Sequence, residues 1–127
     1  MASYLTLDEV LRIHDLLIDA FGGAKGVLDL GLIESALLRP QTGYYADLIE
    51  EAAALWESMA MNHGFADGNK RVAYACLELF LQLNGVDVDA ANIEIETFIY
   101  AQLEAGRFKK AVLEAWLREH TGPLNYG

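Results

Sequence analysis

A chain of 127 residues with 54% hydrophobic residues and only two prolines has the length and composition of one folded domain, which excludes a disordered protein. Its nine Lys and Arg against nineteen Asp and Glu give a net charge of -10, which argues against direct binding of DNA or RNA. No stretch approaches the roughly 18 apolar residues of a membrane span, and the amino terminus lacks a secretory leader, so a cytoplasmic protein is expected.

The first half of the chain predicts three helices. A capping box that begins at Thr6 starts the first helix, whose apolar residues recur at helical spacing until Gly22. A short helix in "LGLIESALLR" follows, and Pro40 ends it because its ring disfavours helical geometry in the preceding residue. Asp47 repeats the capping pattern and starts a third helix, which runs into His63.

The second half predicts three more helices. The segment "VAYACLELFLQLNG" is apolar on all sides, which indicates a central helix, and Asn84-Gly85 ends it. "IEIETFIYAQLEAG" and "FKKAVLEAWLREHTG" are the fifth and sixth helices, and "VDVDAAN" is a short connector. No strand of useful length is predicted. We therefore expect an all-α fold in a single domain, residues 1–127, with Cys76 as a small core residue.

The stretch "HGFADGNKR", residues 63–71, concentrates polar chemistry between the third and fourth helices. It places Lys70 and Arg71 beside the free N–H groups of a helix amino terminus, an arrangement that favours phosphate. Gly68 permits a positive φ and a close approach of an anion to the backbone. Asn69 begins the helix at the same point.

Three other side chains in the stretch suit the same chemistry. His63 is the group that can accept a proton near neutral pH, so it is the candidate general base. Asp67 is a carboxylate beside the expected phosphates, where Mg²⁺ would bind. Phe65 is expected to anchor the loop to the core. Together these groups suit transfer of a phosphorus-containing group to a hydroxyl.

Purely structural roles are the alternative for each of these residues. Asp67 and Asn69 can be helix caps, and His63 a polar residue at a helix end. Lys70 and Arg71 can form a solvated face, although cations at a helix amino terminus oppose the helix dipole and need a compensating partner.

The same nine residues resemble the motif H-x-F-x-[DN]-[AG]-N-K-R of the Doc (death on curing) toxins, a branch of the Fic fold, at every specified position. The resemblance extends through "FGGAKGVLDLGLIESALLRPQ" before the motif and "ELFLQLNG" after it. It implies a bundle of about six helices, with the active-site loop between the central helices.

The resemblance also implies roles for individual residues. His63 would take the proton of a target hydroxyl, and Asp67 would contact Mg²⁺. The residues that would hold the phosphates of ATP are Asn69, Lys70 and Arg71. The substrate flap of the family corresponds to "RPQTGYYADL", where Tyr44 and Tyr45 are expected to contact the target protein, with packing in the core as the alternative for at least one of them.

A lysine at position 70 is typical of Doc proteins, which phosphorylate elongation factor Tu and so inhibit translation; Fic proteins have glycine there and transfer AMP from ATP. The resemblance therefore implies the toxin of a toxin-antitoxin module, a kinase of Ser or Thr hydroxyls, restrained by an antitoxin whose disordered tail folds on it. Two alternatives stay open. One is a protein adenylyltransferase, and the other is a catalytically weak antitoxin-binding module, which the apolar Val72 and Ala75 favour.

Overall fold

The structure, a computed structural model, describes residues 2–124, so Met1 and residues 125–127 of the predicted domain lie outside the described residues. It contains six α-helices and a two-stranded sheet, which confirms the all-α prediction. In chain order the elements are α1 (Leu7–Phe21), α2 (Leu30–Leu38), α3 (Leu48–Met61), α4 (Asn69–Leu83), β1 (Val86–Val88), α5 (Asn92–Glu104), α6 (Lys110–Glu119) and β2 (Thr121–Pro123).

The first three helices begin where side chains cap them. At α1 the capping box is complete, because the Thr6 hydroxyl accepts a hydrogen bond from the Glu9 N–H and the Glu9 carboxylate accepts one from the Thr6 N–H. At α2 the Asp29 carboxylate accepts a hydrogen bond from the Leu32 N–H. At α3 the Asp47 carboxylate accepts one from the Glu50 N–H. Pro40 ends α2 as predicted, although the chain continues as one 3₁₀ turn at Arg39–Gln41.

The core lies between α3 and α4, which pack against each other over their length. Trp56 of α3 and Phe80 of α4 are fully buried there, as is Cys76. Burial raises the pKa of the Cys76 thiol to about 12, so the thiol stays uncharged, as expected of a core residue. The central position predicted for the fourth helix is confirmed.

The small sheet joins two distant parts of the chain. Strand β1 lies in the predicted connector and pairs antiparallel with β2, with Asp87 opposite Gly122. Next to the sheet, the Leu124 N–H donates to the Gly85 carbonyl at 2.9 Å, which fixes the chain after α6 against the end of α4. Among the described helices, none combines the length and the apolar character needed to cross a membrane.

Candidate active site at the start of helix α4

Residues 63–68 form a loop that is fastened to the segment before α2. Phe65 is buried and pairs with Val27 in an isolated antiparallel bridge. The Gly64 carbonyl accepts hydrogen bonds from the Leu28 and Asp29 N–H groups at 2.8 and 3.1 Å. The loop thus contacts the segment before α2 at Phe65 and Gly64, and the role of Phe65 as loop anchor stays a prediction.

Gly64 is also required by the space around it. A Cβ at this position would lie 2.5 Å from Cγ1 of Ile33, so no larger residue fits without a shift of α2. The loop is therefore held by close packing at Gly64.

The side chain of Asn69 closes the loop from the other side. Its Oδ1 accepts a hydrogen bond from the Phe65 N–H at 3.1 Å, and its Nδ2 donates to the Phe65 carbonyl at 3.0 Å. One N–H of Nδ2 is used in this way, so Asn69 can offer a phosphate its second Nδ2 hydrogen and its backbone N–H. Its predicted phosphate role stays a prediction.

Asp67 lies on the outer side of the loop. Its Oδ1 accepts from the Gly68 N–H at 2.9 Å, and its Oδ2 accepts from the Ala24 N–H at 3.2 Å. Gly23 makes this approach possible, because a Cβ there would lie 2.7 Å from the Asp67 Oδ2. The carboxylate is therefore oriented by two separate backbone segments and still faces solvent.

His14 supports the loop from behind. It is 97% buried on the face of α1 that also carries Val10 and Ile18. Its ring stacks on Phe65 with centroids 3.9 Å apart, and its Nε2 lies 2.8 Å from the Asp67 carbonyl oxygen. Since a carbonyl only accepts, Nε2 carries the proton of this hydrogen bond. His14, predicted as structural, orders the site without lining it.

Replacing His14 by Phe is expected to lower the free energy of unfolding by about 1–3 kcal/mol, because the Asp67 carbonyl then loses its donor while a flat ring remains. Urea denaturation followed by circular dichroism measures the loss. The matched control is His120→Phe, since His120 also stacks on a ring and lies 2.8 Å from a backbone carbonyl but is only half-buried. A loss at His14 no greater than at His120 would contradict this role.

The start of α4 differs from the starts of α1 to α3. Its N-cap is Gly68, in the left-handed region at φ 76, and within residues 2–124 no side chain caps the helix. The first N–H groups of α4, at Asn69–Arg71, are therefore available to a ligand. Neither Lys70 nor Arg71 has a carboxylate within 4.0 Å among the described residues. A helix end of this kind, with free N–H groups and two cations, can bind an anion.

His63 stands at the opposite end of the loop. Its φ is 54, the one left-handed backbone conformation of a residue other than glycine in the described chain. Strain of this kind collects at functional sites. The imidazole is exposed and makes no hydrogen bond to any described residue, so it is free to accept a proton from a bound hydroxyl.

A groove of about 990 Å³ brings these groups together. One wall is the loop and the start of α4, with His63, Asp67 and Lys70, and the other wall is α5. Tyr74 lines the groove one turn after Arg71, and burial raises the pKa of its phenol above the ordinary value. Neither Tyr74 nor the α5 wall was predicted from the sequence.

The two flap tyrosines differ in their surroundings. Tyr44 is 87% exposed and is available to a partner. The Tyr45 hydroxyl accepts a hydrogen bond from Arg39 Nε at 2.9 Å, and the Lys110 Nζ lies 5.5 Å from its ring centroid. Tyr45 is thus held against the helical bundle. For Tyr44, contact with the target protein stays a prediction.

At the start of α4 a metal ion would have Asp67 as its carboxylate, since the other two carboxylates that line the groove, Glu96 and Glu104, belong to α5. Within residues 2–124 no group of three or more His, Cys, Asp or Glu side chains is arranged to hold a metal. Mg²⁺ commonly binds through one or two carboxylates, with substrate phosphates and waters as its other ligands. Each oxygen of Asp67 has a lone pair beyond the one that accepts a backbone N–H. The site therefore fits a Mg²⁺ ion that arrives with phosphates.

Comparison with known proteins shows the family of this chain. The model of the Fic/DOC family matches residues 4–81, more than half of the chain. The protein named Toxin Doc of Mycolicibacterium smegmatis is 41% identical over 101 residues, 76% of this chain and 75% of that protein. The protein named Protein kinase doc of Escherichia phage P1 is 35% identical over 89 residues, 67% of this chain and 71% of that protein. The chain belongs to the Fic/DOC family and, within it, to the Doc toxins.

Proposed function

We propose that this protein is the toxin of a toxin-antitoxin module and acts as an ATP- and Mg²⁺-dependent kinase of a Ser or Thr hydroxyl in elongation factor Tu. The observation that carries the proposal is the uncapped start of α4, where Lys70 and Arg71 lack carboxylate partners and an exposed His63 lies on the same groove. The similarity to Toxin Doc and to Protein kinase doc supports a toxin that is a transferase.

In the proposed reaction the oxygen of the target hydroxyl attacks the γ-phosphorus of ATP, while His63 takes the proton of that hydroxyl. The new bond joins the target oxygen to the γ-phosphorus, and the bond from the γ-phosphorus to the β–γ bridging oxygen breaks. ADP leaves with that electron pair. The backbone N–H groups of Asn69–Arg71 and the side chains of Lys70 and Arg71 hold the phosphates. Mg²⁺ at Asp67, when bound, offsets the negative charge on the phosphates.

The apolar residues that favour a weak binding module do not line the groove. Val72 is fully buried in the core, so its side chain does not face the groove. Ala75 is partly buried and does not line the groove, whereas Tyr74 does. Neither residue counts against catalysis.

The test uses purified protein, elongation factor Tu, Mg²⁺ and ATP labelled at either the γ- or the α-phosphate. Label from γ-labelled ATP alone is expected on the factor. Label from α-labelled ATP would instead identify an adenylyltransferase. Absence of transfer from both would contradict the kinase proposal with this target and favour the binding module.

We propose that an antitoxin tail binds the α5 wall. Ile95 is the one buried residue of α5, whereas Ile93 and Tyr100 expose 68% and 66% of their surface. An apolar segment that folds on α5 would cover these side chains and close the groove. Hydrogen exchange with and without the cognate antitoxin tests this, since protection of α5 is expected and unchanged exchange there would contradict it.

Replacing Gly23 by Ala is expected to raise the Mg²⁺ concentration needed for half-maximal transfer, because the new Cβ would displace the Asp67 carboxylate. The matched control is Gly26→Ala. Gly26 has φ 120, close to the φ 115 of Gly23, so the backbone strain is similar, but no atom lies within 4 Å of its added Cβ. An equal Mg²⁺ requirement in the two variants would contradict the role of Asp67.

A further inference from the structure

Phe21, the last residue of α1, exposes a large apolar ring for which packing offers no reason. It is 63% exposed, and its ring lies beneath the guanidinium of Arg71, whose central carbon is 4.2 Å from the ring centroid. Arg71 lines the groove, and Phe21 is not part of the lining among the described residues. The Phe21 ring therefore lies outside the groove and contacts the site through Arg71.

The way in which Arg71 is held leaves its hydrogen-bond donors free. A cation–π contact uses the charge of the guanidinium and takes up no strong hydrogen-bond acceptor, and the Arg71 side chain donates no hydrogen bond to a described residue, so its N–H groups stay open to phosphate oxygens. A carboxylate partner would occupy the same N–H groups, and within residues 2–124 no carboxylate lies within 4.0 Å of Arg71. Contact with an aromatic ring therefore restrains the Arg71 side chain and leaves its N–H groups available to phosphates.

The placement of Phe21 follows from the helix that carries it. His14, Ile18 and Phe21 recur on one face of α1, where residues three and four apart are neighbours. His14 contacts the Asp67 carbonyl, and a Cβ built at Gly68 would lie 3.3 Å from Ile18 Cδ1. The same face of α1 thus lies against successive residues of the stretch 63–71, and Phe21 contacts the last of them, Arg71.

We propose that Phe21 is a positioning residue that holds the Arg71 guanidinium ready for the phosphates of ATP. This inference rests on the proposed function, because it requires Arg71 to bind ATP. Phe21 itself touches neither the nucleotide nor the reacting atoms.

The test is isothermal titration of the full chain with Mg²⁺ and ATP in the absence of a target protein. Phe21→Leu is expected to weaken ATP binding about two- to fivefold, the factor that corresponds to loss of an exposed cation–π contact. Phe21→Tyr is expected to keep the wild-type affinity because it keeps the ring. The matched control is Leu16→Ala, since Leu16 is on the same helix and 62% exposed.

A double-mutant cycle separates positioning from a direct contact with the nucleotide. Arg71→Ala is expected to weaken ATP binding, and Phe21→Leu in that background is expected to add nothing. Additive effects would overturn the inference, as would unchanged affinity in Phe21→Leu when the wild type binds ATP. A wild type that binds no ATP would instead overturn the proposed function, and the inference with it. Thermal unfolding of each variant checks that the fold is intact.

Discussion

Replacing His63 by Ala is expected to reduce transfer of phosphate to the target by about 10²- to 10⁴-fold, the usual contribution of a general base. The imidazole is exposed and lacks hydrogen bonds to the described residues, so its removal takes little from the packing of the fold. The rate of transfer from γ-labelled ATP at saturating ATP measures the effect. Growth arrest on induction of the protein is expected to disappear in the same variant.

Two further variants make the His63 result specific. His63→Asn retains a residue that tolerates the left-handed backbone at φ 54, so it separates loss of the base from added strain. His120→Ala removes a histidine that is stacked on Trp116 and does not line the groove, and is expected to leave transfer unchanged. Growth arrest that persists in both His63 variants would contradict a catalytic role and favour a binding module.

Replacing Trp56 by Ala is expected to lower the free energy of unfolding by about 3–5 kcal/mol, the cost of a large cavity. Trp56 is fully buried, and its ring centroid lies between 5.6 and 6.0 Å from those of four aromatic residues. These are Tyr74 of α4, Phe98 of α5, Phe108 in the loop before α6, and Trp116 of α6. Because the whole free energy of unfolding of a domain is about 5–15 kcal/mol, the Trp56→Ala variant is expected to be marginally folded. Urea denaturation followed by circular dichroism measures the change.

The controls for Trp56 use its neighbours and its own nitrogen. The indole Nε1 of Trp56 is buried and has no hydrogen-bond partner among the described residues, so Trp56→Phe removes a poorly satisfied polar group together with part of the volume. It is expected to cost less than Trp56→Ala. Trp116→Ala is also expected to cost less, because Trp116 is only half-buried. Equal losses in Trp56→Ala and Trp116→Ala would show that Trp56 is not the centre of this cluster.

The helices could be predicted because their signals are local. Thr6, Asp29 and Asp47 each cap a helix within four residues of their own position, and apolar periodicity carries the rest. The small sheet was not predicted, since β1 has three residues and its partner β2 follows more than thirty residues later. Leu16 shows the limit of periodicity, because it fits the apolar spacing of α1 and yet is 62% exposed.

The part of the site that is contiguous in the sequence could be predicted. The stretch 63–71 contains the base, the carboxylate and both cations, so its chemistry is visible in the sequence. His14 and Phe21 reach the same site from α1, and Tyr74 enters it through the turn of α4 that faces α5. Nothing in the neighbouring residues marks these positions as part of a site, because only the folded arrangement places α1 against α4 and α5 across the groove from it.

The central claim, that the start of α4 binds the phosphates of ATP, is tested most directly by the backbone amide resonances of the ¹⁵N-labelled protein during titration with Mg²⁺ and ATP. Saturable shifts concentrated at residues 67–71 are predicted, and Arg71→Ala is expected to weaken the binding that they report. Saturable shifts confined to another surface, or no shifts at all, would contradict the claim.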